Sequence, residues 1–170
     1  MEIRDATVDD MPAVTRLYNA LIRTTTVAWT EEEQALDERL AWFARQQELG
    51  HPVLVAESDG DVVGFTAYGS FRGSGKWPGY RYTVEHTIHV DGHHWGKGIG
   101  RQLLEALVDR ARADGIHVMV GAIDGDNAES IRFHERLGFV EVARMPEVGR
   151  KFDRWLDLVF VQRVLDRPDD

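Results

Sequence analysis

Three glycines at alternating positions, Gly96, Gly98 and Gly100, interleave with Lys97 and Ile99 and are followed by Arg101. Glycine lacks the Cβ atom that would hold an anion away from the main chain. A helix starting at such a turn offers unpaired N–H groups and the positive end of its dipole. The chemistry that suits this spacing is the binding of a phosphate or diphosphate. Three kinds of phosphate turn compete for the assignment. A P-loop needs Lys-Ser or Lys-Thr after its last glycine, which this turn lacks. A dinucleotide fingerprint needs a third glycine where Leu103 stands. The remaining possibility is a turn of the kind that holds the pyrophosphate of coenzyme A.

Ionisable side chains flank the turn on both sides. Upstream stand Glu85, His86 and His89, and downstream Asn127 and His134. Taken singly, each has a plain structural reading. Glu85 reads as a solvated or cross-strand-paired strand residue, and His86 as a packed or hydrogen-bonded one. His134 reads as a helix-surface histidine three residues from Leu137, and Asn127 as a helix N-cap. His89, His93 and His94 raise the question of a metal, but their spacing fits no helix or knuckle pattern, so no metal site is expected. The chain has no cysteine, which excludes disulfides, thiolate metal sites and a cysteine-bound acyl intermediate.

The elements that must position these residues follow from periodicity. Val84 to Val90 is β-branched and alternating, with Tyr82, Val84, His86, Ile88 and Val90 on one face and Thr83, Glu85, Thr87 and His89 on the other. Ile99, Leu103, Leu107 and Ala111 make one helical stripe after the turn, and Gly115 ends it. Before this core, Ile3 to Ala6 reads as a strand. Thr7 and Asp10 form a capping box for a helix with the stripe Met11, Val14, Leu17, Tyr18, Leu21 and Ile22. Thr30 and Glu33 look like a second capping box, for a helix striped by Leu36, Leu40 and Phe43. Pro52 to Glu57 and Val62 to Phe71 make a hairpin, and Tyr80 to Val90 the next strand. Ile116 to Ile123 is nearly all apolar, hence a central strand. Asn127 opens a short helix ending at Leu137 and Gly138. Phe139 to Met145 and Trp155 to Leu165 are two further strands, and the polar tail Asp166 to Asp170 is expected to fray. The order predicts one domain over residues 1–170. It is an α/β chain with a twisted mixed sheet of about seven strands and helices on both faces.

The run Val84-Glu85-His86-Thr87, then Val90, then Gly96 to Arg101 and Leu103-Leu104, resembles the GNAT superfamily of N-acetyltransferases. Within it the chain is similar to the phosphinothricin / methionine sulfone (L-amino acid) N-acetyltransferases. The likeness extends nearly end to end, through Tyr18-Asn19, Thr25-Thr26 with Trp29, Tyr68-Gly69, Asn127, His134 with Gly138-Phe139, and Gly149 to Gln162. The glycine turn alone is a weak signal, but Glu85, the turn, Asn127 and His134 in that order are a specific one.

The resemblance implies an acetyl-CoA-dependent acetyltransferase acting on the α-amine of a small amino acid or analogue by direct attack in a ternary complex. It implies Glu85 as general base, with burial raising its pKa, and His134 as general acid or cofactor contact. It assigns the pyrophosphate to Gly96, Lys97, Gly98, Ile99, Gly100 and Arg101. The pantetheine arm and thioester go to Asn127 and the main chain of Ile88, His89 and Val90. Phe71 and Arg72, with Glu85, His86 and Thr87, are expected around the acceptor, Arg72 gripping its acidic group. A homodimer is implied as well. Three features depart from the family pattern: Trp95 in place of Arg or Gln, His89 in place of tyrosine, and a longer loop from Gly73 to Gly79 beside Arg72. The alternatives are a different amine (a protein N-terminus, polyamine or aminoglycoside) and a coenzyme A-binding module without catalysis.

Composition bounds the partners. A net charge of −9 argues against nucleic acid as a general partner, since phosphate backbones want a basic face. No apolar run approaches the roughly 20 residues of a membrane helix. The charged start Met-Glu-Ile-Arg-Asp has no signal-peptide core, so a cytoplasmic location is expected.

Overall fold

The computed structural model describes residues 1–73 and 75–165; Ser74 and the tail Asp166 to Asp170 lie outside the described residues. Seven strands and four helices follow one another as β1 (Glu2–Asp5), α1 (Met11–Thr24), α2 (Leu36–Glu48), β2 (Val53–Ser58), β3 (Asp61–Ser70), β4 (Thr83–Val90), α3 (Ile99–Ala113), β5 (Val118–Asp124), α4 (Ala128–Arg136), β6 (Val140–Lys151) and β7 (Arg154–Val164). The strands form one mixed sheet in the order β1-β2-β3-β4-β5-β7-β6. All neighbours are antiparallel except β4 and β5, which run parallel around α3.

Helices cover both faces, as expected. On one face Met11 and Val14 of α1 and Phe43 of α2 pack on Val53, Val55, Phe65 and Ala67. On the other, Ile99, Leu103, Leu107 and Ala111 of α3 pack on Leu54, Ala56, Met119, Val159 and Val161. Alternate residues of β2 thus feed opposite cores, which is what a strand covered on both sides requires. The stripe read for α3 is the buried one.

Three element boundaries differ from the sequence reading. The pair Thr30 and Glu33 does not start α2. The Thr30 hydroxyl accepts the Glu32 N–H at 3.1 Å, and Glu33 pairs with Arg23 at 2.8 Å. The helix opens five residues beyond Glu31, at Leu36, where the Glu38 carboxylate accepts the Ala35 N–H at 2.9 Å. Its buried stripe is Arg39, Phe43 and Gln46, two of them polar. Strand β4 begins at Thr83 rather than Tyr80, because Pro78–Tyr80 closes a short 3-10 turn. Strand β6 runs on to Lys151 past irregularities in its pairing with β7.

Lys151 is 2% exposed and donates to the carbonyls of Ile22, Thr25 and Ala28, each at 2.7 Å. It therefore caps the open carbonyl end of α1 from the far side of the sequence. Trp29 packs nearby over Gly149, where any Cβ would lie 2.0 Å from its ring. Together these contacts fix the Thr24–Val27 segment beside the sheet.

Candidate active site

Strand β4 is in register with β3 from Val84 opposite Ser70 to Val90 opposite Gly64. Against β5 it pairs only at Thr83, Val84 and Glu85. Beyond Glu85 the two strands part. The His86 ring stands at the parting, its Nδ1 2.9 Å from the carbonyl of Val120. Val120 is also the last β5 residue paired with β4, so the ring sits at the carbonyl where the ladder ends. Gly121 makes this possible, since a Cβ there would sit 2.7 Å from His86 Cε1.

The parting opens a cleft of about 1000 Å³. Its walls are His86 to Val90 of β4, Gly121 to Asp124 of β5, the first turns of α3 and α4, and the Thr24–Val27 segment. Volumes of this order suit a ligand of cofactor size. At one end lies the glycine turn. Gly96 and Gly98 have φ of 75° and 78°, where a side chain is strained. Gly98 is the N-cap of α3 and contributes no capping side chain, so the first-turn N–H groups are left for a ligand. Trp95 donates its indole N–H to the Val90 carbonyl at 2.8 Å, tying the turn to the strand end. Arg101 also lines the cleft, while pairing with Glu105 at 2.8 Å. The Asn127 side-chain oxygen caps α4 by accepting the Ser130 N–H at 3.0 Å. Its amide nitrogen has no partner among the described residues, so capping leaves it a donor to spend on a ligand.

Ile88, His89, Val90, Gly96, Gly98, Ile99, Gly100, Arg101, Asn127 and His134 all line this cleft, whereas Lys97 does not. Glu85 points to the other face, that of α1 and α2, opposite Gly69. Its side chain is solvent-exposed, but the protein crowded around the carboxyl partly desolvates it and raises its pKa above the ordinary carboxylate value. Among the described residues no cation pairs with it.

His86 was expected beside Glu85 around the acceptor, but the two side chains lie on opposite faces of β4. His86 is 8% exposed, on the cleft face, with its Nε2 3.0 Å from His134 Nε2. The alternation of a regular strand is the reason. Thr87 and His89 share the Glu85 face, joined by a 2.8 Å hydrogen bond. The His89 ring packs on Tyr18 and Phe65, and burial pushes its pKa down to about 4. Phe71 and Arg72 lie past the end of β3, both against Tyr80, and neither lines the cleft. His93 and His94 sit on the turn before Trp95, apart from buried His89; no cluster of three or more metal-ligating side chains gathers among the described residues.

Asp124, Gly121 and Lys151 were not singled out by the sequence. Asp124 is 5% exposed at the end of β5 and accepts a hydrogen bond from the Thr26 hydroxyl across the cleft. Gly121 carried a readable signal, because a glycine inside an apolar strand marks a close approach. Lys151 carried none.

A mixed sheet split between its parallel strands, with a bare glycine turn at the mouth of the split, offers unpaired main-chain donors to an anionic ligand. The Acetyltransferase (GNAT) family model matches residues 14–139, and the chain belongs to this family. It is 48% identical over 166 residues to an L-methionine sulfoximine/L-methionine sulfone acetyltransferase of Salmonella typhimurium, covering 98% of this chain and 95% of the relative. It is 45% identical to the L-amino acid N-acyltransferase MnaT of Escherichia coli, with the same coverage of 98% and 95%. The solved structure of yncA from Salmonella typhimurium with its cofactor acetyl-CoA superposes with a TM-score of 0.93 at 47% identity, covering 99% of this chain and 96% of that one.

Proposed function

We propose that this chain transfers the acetyl group of acetyl-CoA to the α-amine of an L-amino acid of the methionine sulfone or methionine sulfoximine type. The observation that carries the reading is the position of Glu85. It is the last β4 residue paired with β5, at the root of the split, on the face opposite the cofactor cleft. The incoming amine is placed on this face, where Glu85 is the carboxylate next to the point at which the strands part. The names of the relatives supply the acceptor class.

The residues present fit acetyl-CoA. Gly96, Gly98, Gly100 and the first-turn N–H groups of α3, with Arg101, would hold its diphosphate. The free amide donor of Asn127 would hold the pantetheine arm. When bound, acetyl-CoA supplies an acetyl group activated by a thiolate leaving group. Glu85, its pKa raised by desolvation, takes a proton from the ammonium so that a neutral amine can attack. The edge of β4 from His86 to Val90 that faces away from β3 has no strand partner, and its free N–H groups are the donors available to a developing oxyanion. His134, in the cleft, is the candidate acid for the leaving sulfur. A homodimer belongs to the same reading: the outer edge strand β6 exposes Val140, Val142, Met145 and Val148. Sedimentation is expected to give twice the mass of one chain.

The deciding experiment follows thiol release from acetyl-CoA with L-methionine sulfone, L-methionine sulfoximine and phosphinothricin. Turnover on at least one of the methionine analogues is expected. Tight acetyl-CoA binding with no turnover on any free amino acid would overturn the acceptor assignment and point to a protein N-terminus, polyamine or aminoglycoside.

A further inference from the structure

His86 and His134 meet through their Nε2 atoms at 3.0 Å, with ring centroids 5.1 Å apart. The opposite nitrogen of each ring is also engaged. His86 Nδ1 lies 2.9 Å from the Val120 carbonyl, and His134 Nδ1 lies 2.7 Å from the Ser130 carbonyl. A carbonyl has no proton to give, so both Nδ1 atoms must be donors. In a neutral imidazole the other nitrogen then carries a lone pair. Two neutral rings would bring two lone pairs together at hydrogen-bond distance. The count is simple: the contacts require three protons, and two neutral imidazoles hold two.

The one local escape is weak. The Ser130 hydroxyl lies 3.5 Å from His134 Nδ1 and could donate to it, but that would turn a lone pair toward the carbonyl at 2.7 Å. We propose that His86 and His134 share one proton between their Nε2 atoms and act as a single cationic pair on the cofactor side of the split.

Burial opposes a charge here. It lowers His134 and pushes His86 down to about 3. The His134 Nδ1 contact to its carbonyl is the shorter of the two, 2.7 Å against 2.9 Å, which favours the charge on His134, and His86 accepts the shared proton. The other charged or titratable groups lining the cleft are His89 on β4, His94 before the glycine turn, Asp124 ending β5, Asp126 in the turn after it, Glu129 and Arg136 on α4, Arg101 on α3 and Arg154 on β7. Of these, Asp124 is buried, with its carboxylate engaged by the Thr26 hydroxyl.

The pair explains how a buried histidine is kept charged where an acid is needed. Both rings line the cleft, so a tilt of the His134 ring off its contact turns the proton outward. His134 gives that proton to a sulfur that has received the C–S bonding pair, and both rings are left neutral; solvent then restores the proton. His86 touches no reacting atom in this scheme and is a positioning residue. The catalytic consequence rests on the acetyl-transfer reading; the proton count does not.

The test is long-range ¹H–¹⁵N correlation spectroscopy of the free protein labelled in its histidines. At pH 7 the two rings are expected to carry three nitrogen-bound protons, and titration upward should release one proton per chain from the pair. Two nitrogen-bound protons at pH 7, both on Nδ1, would overturn the proposal. In His86→Phe, His134 loses its acceptor, and its affinity for the Nε2 proton should fall at least tenfold. His86→Gln, whose side-chain oxygen can accept, should recover most of that loss. An unchanged His134 titration in the phenylalanine variant would also overturn the sharing. The wild-type spectrum needs no variant to fold and no turnover, so failure of the acceptor assignment leaves the result readable.

Discussion

Toward β3, strand β4 is paired at every position from Val84 to Val90; toward β5, pairing stops at Glu85. The residues are the same on both edges, so local propensity does not account for the difference. What differs is the neighbour. On the β3 side small and apolar residues let the ladder run on, and the Thr66 hydroxyl adds a bond to the Thr87 carbonyl at 2.7 Å. On the β5 side an imidazole takes the Val120 carbonyl, and Gly121 makes room for it. The imidazole stands where the ladder ends. The main-chain groups left unpaired beyond that point become a binding surface that a continuous sheet would have consumed. The two faces of β4 carry different ionisable groups, Glu85 on one and His86 beside His134 on the other, and the proposed reaction divides between them.

The hardest blow to that division should come from Glu85→Gln. The amide keeps the shape and cannot take a proton. A drop in kcat of about 10³-fold is expected, with acetyl-CoA affinity changed by less than about threefold. The pH dependence has a definite sign. Only the ionised carboxyl is a base, and its pKa is raised by desolvation. Wild-type kcat/KM should therefore fall as pH drops through a value above the ordinary carboxylate range, and this limb should vanish in the glutamine variant. Near-normal turnover of that variant would remove Glu85 from the base role.

On the other face, His134→Phe should lower kcat by about 10²-fold, because the leaving sulfur loses its acid. If the faces serve separate proton transfers, the double variant should show the product of the two single effects. A double variant no worse than Glu85→Gln alone would mean that both residues act on one step, and the division between faces would be lost.

Legibility followed the range of the interactions. The α3 stripe, the glycine turn and the opposed faces of Glu85 and His86 all depend on residues close in sequence, and simple periodicity locates them. The parting of β4 from β5 does not. At the parting His86 meets Val120, 34 positions further along the chain, and nothing near His86 announces that contact. The second helix misled for a related reason. Thr30 and Glu33 have the spacing of a cap, yet the hydroxyl closes a local turn instead. The buried stripe of α2 was hidden because Arg39 and Gln46 are polar. Arg39 stacks on Tyr18 and Trp42 at 4.6 and 4.7 Å, and Gln46 donates to the Tyr68 carbonyl at 2.8 Å. Apolar periodicity cannot report a core contact of that kind.

The open edge needs a cover, and Lys151 holds it. Its ammonium binds three carbonyls around the end of α1, next to the Thr24–Val27 wall of the cleft. Lys151→Met fills the space but leaves those carbonyls without their donor. A loss of about 3 kcal/mol in unfolding free energy is expected, read from the denaturant midpoint, together with weaker acetyl-CoA binding. A variant as stable as the wild type would show that Trp29 on Gly149 suffices to hold this segment.

The smallest effect should come from the residue that permits the split. In Gly121→Ala the added Cβ would stand 2.7 Å from His86 Cε1 and 3.1 Å from Val161 Cγ2. Something must move. Val161 is fully buried in the core behind the strand, so the His86 ring is the neighbour with room to give, toward the cleft. The cost in stability should be about 1–2 kcal/mol, in the range for overpacking. The informative readout is elsewhere. If the ring is what opens the sheet, moving it off Val120 should let that carbonyl and its neighbours seek a main-chain donor. The amides of His86 to Val90 would then gain protection from hydrogen exchange, and acetyl-CoA affinity would fall. Unchanged exchange in a folded Gly121→Ala protein would show that the strands part without help from the imidazole.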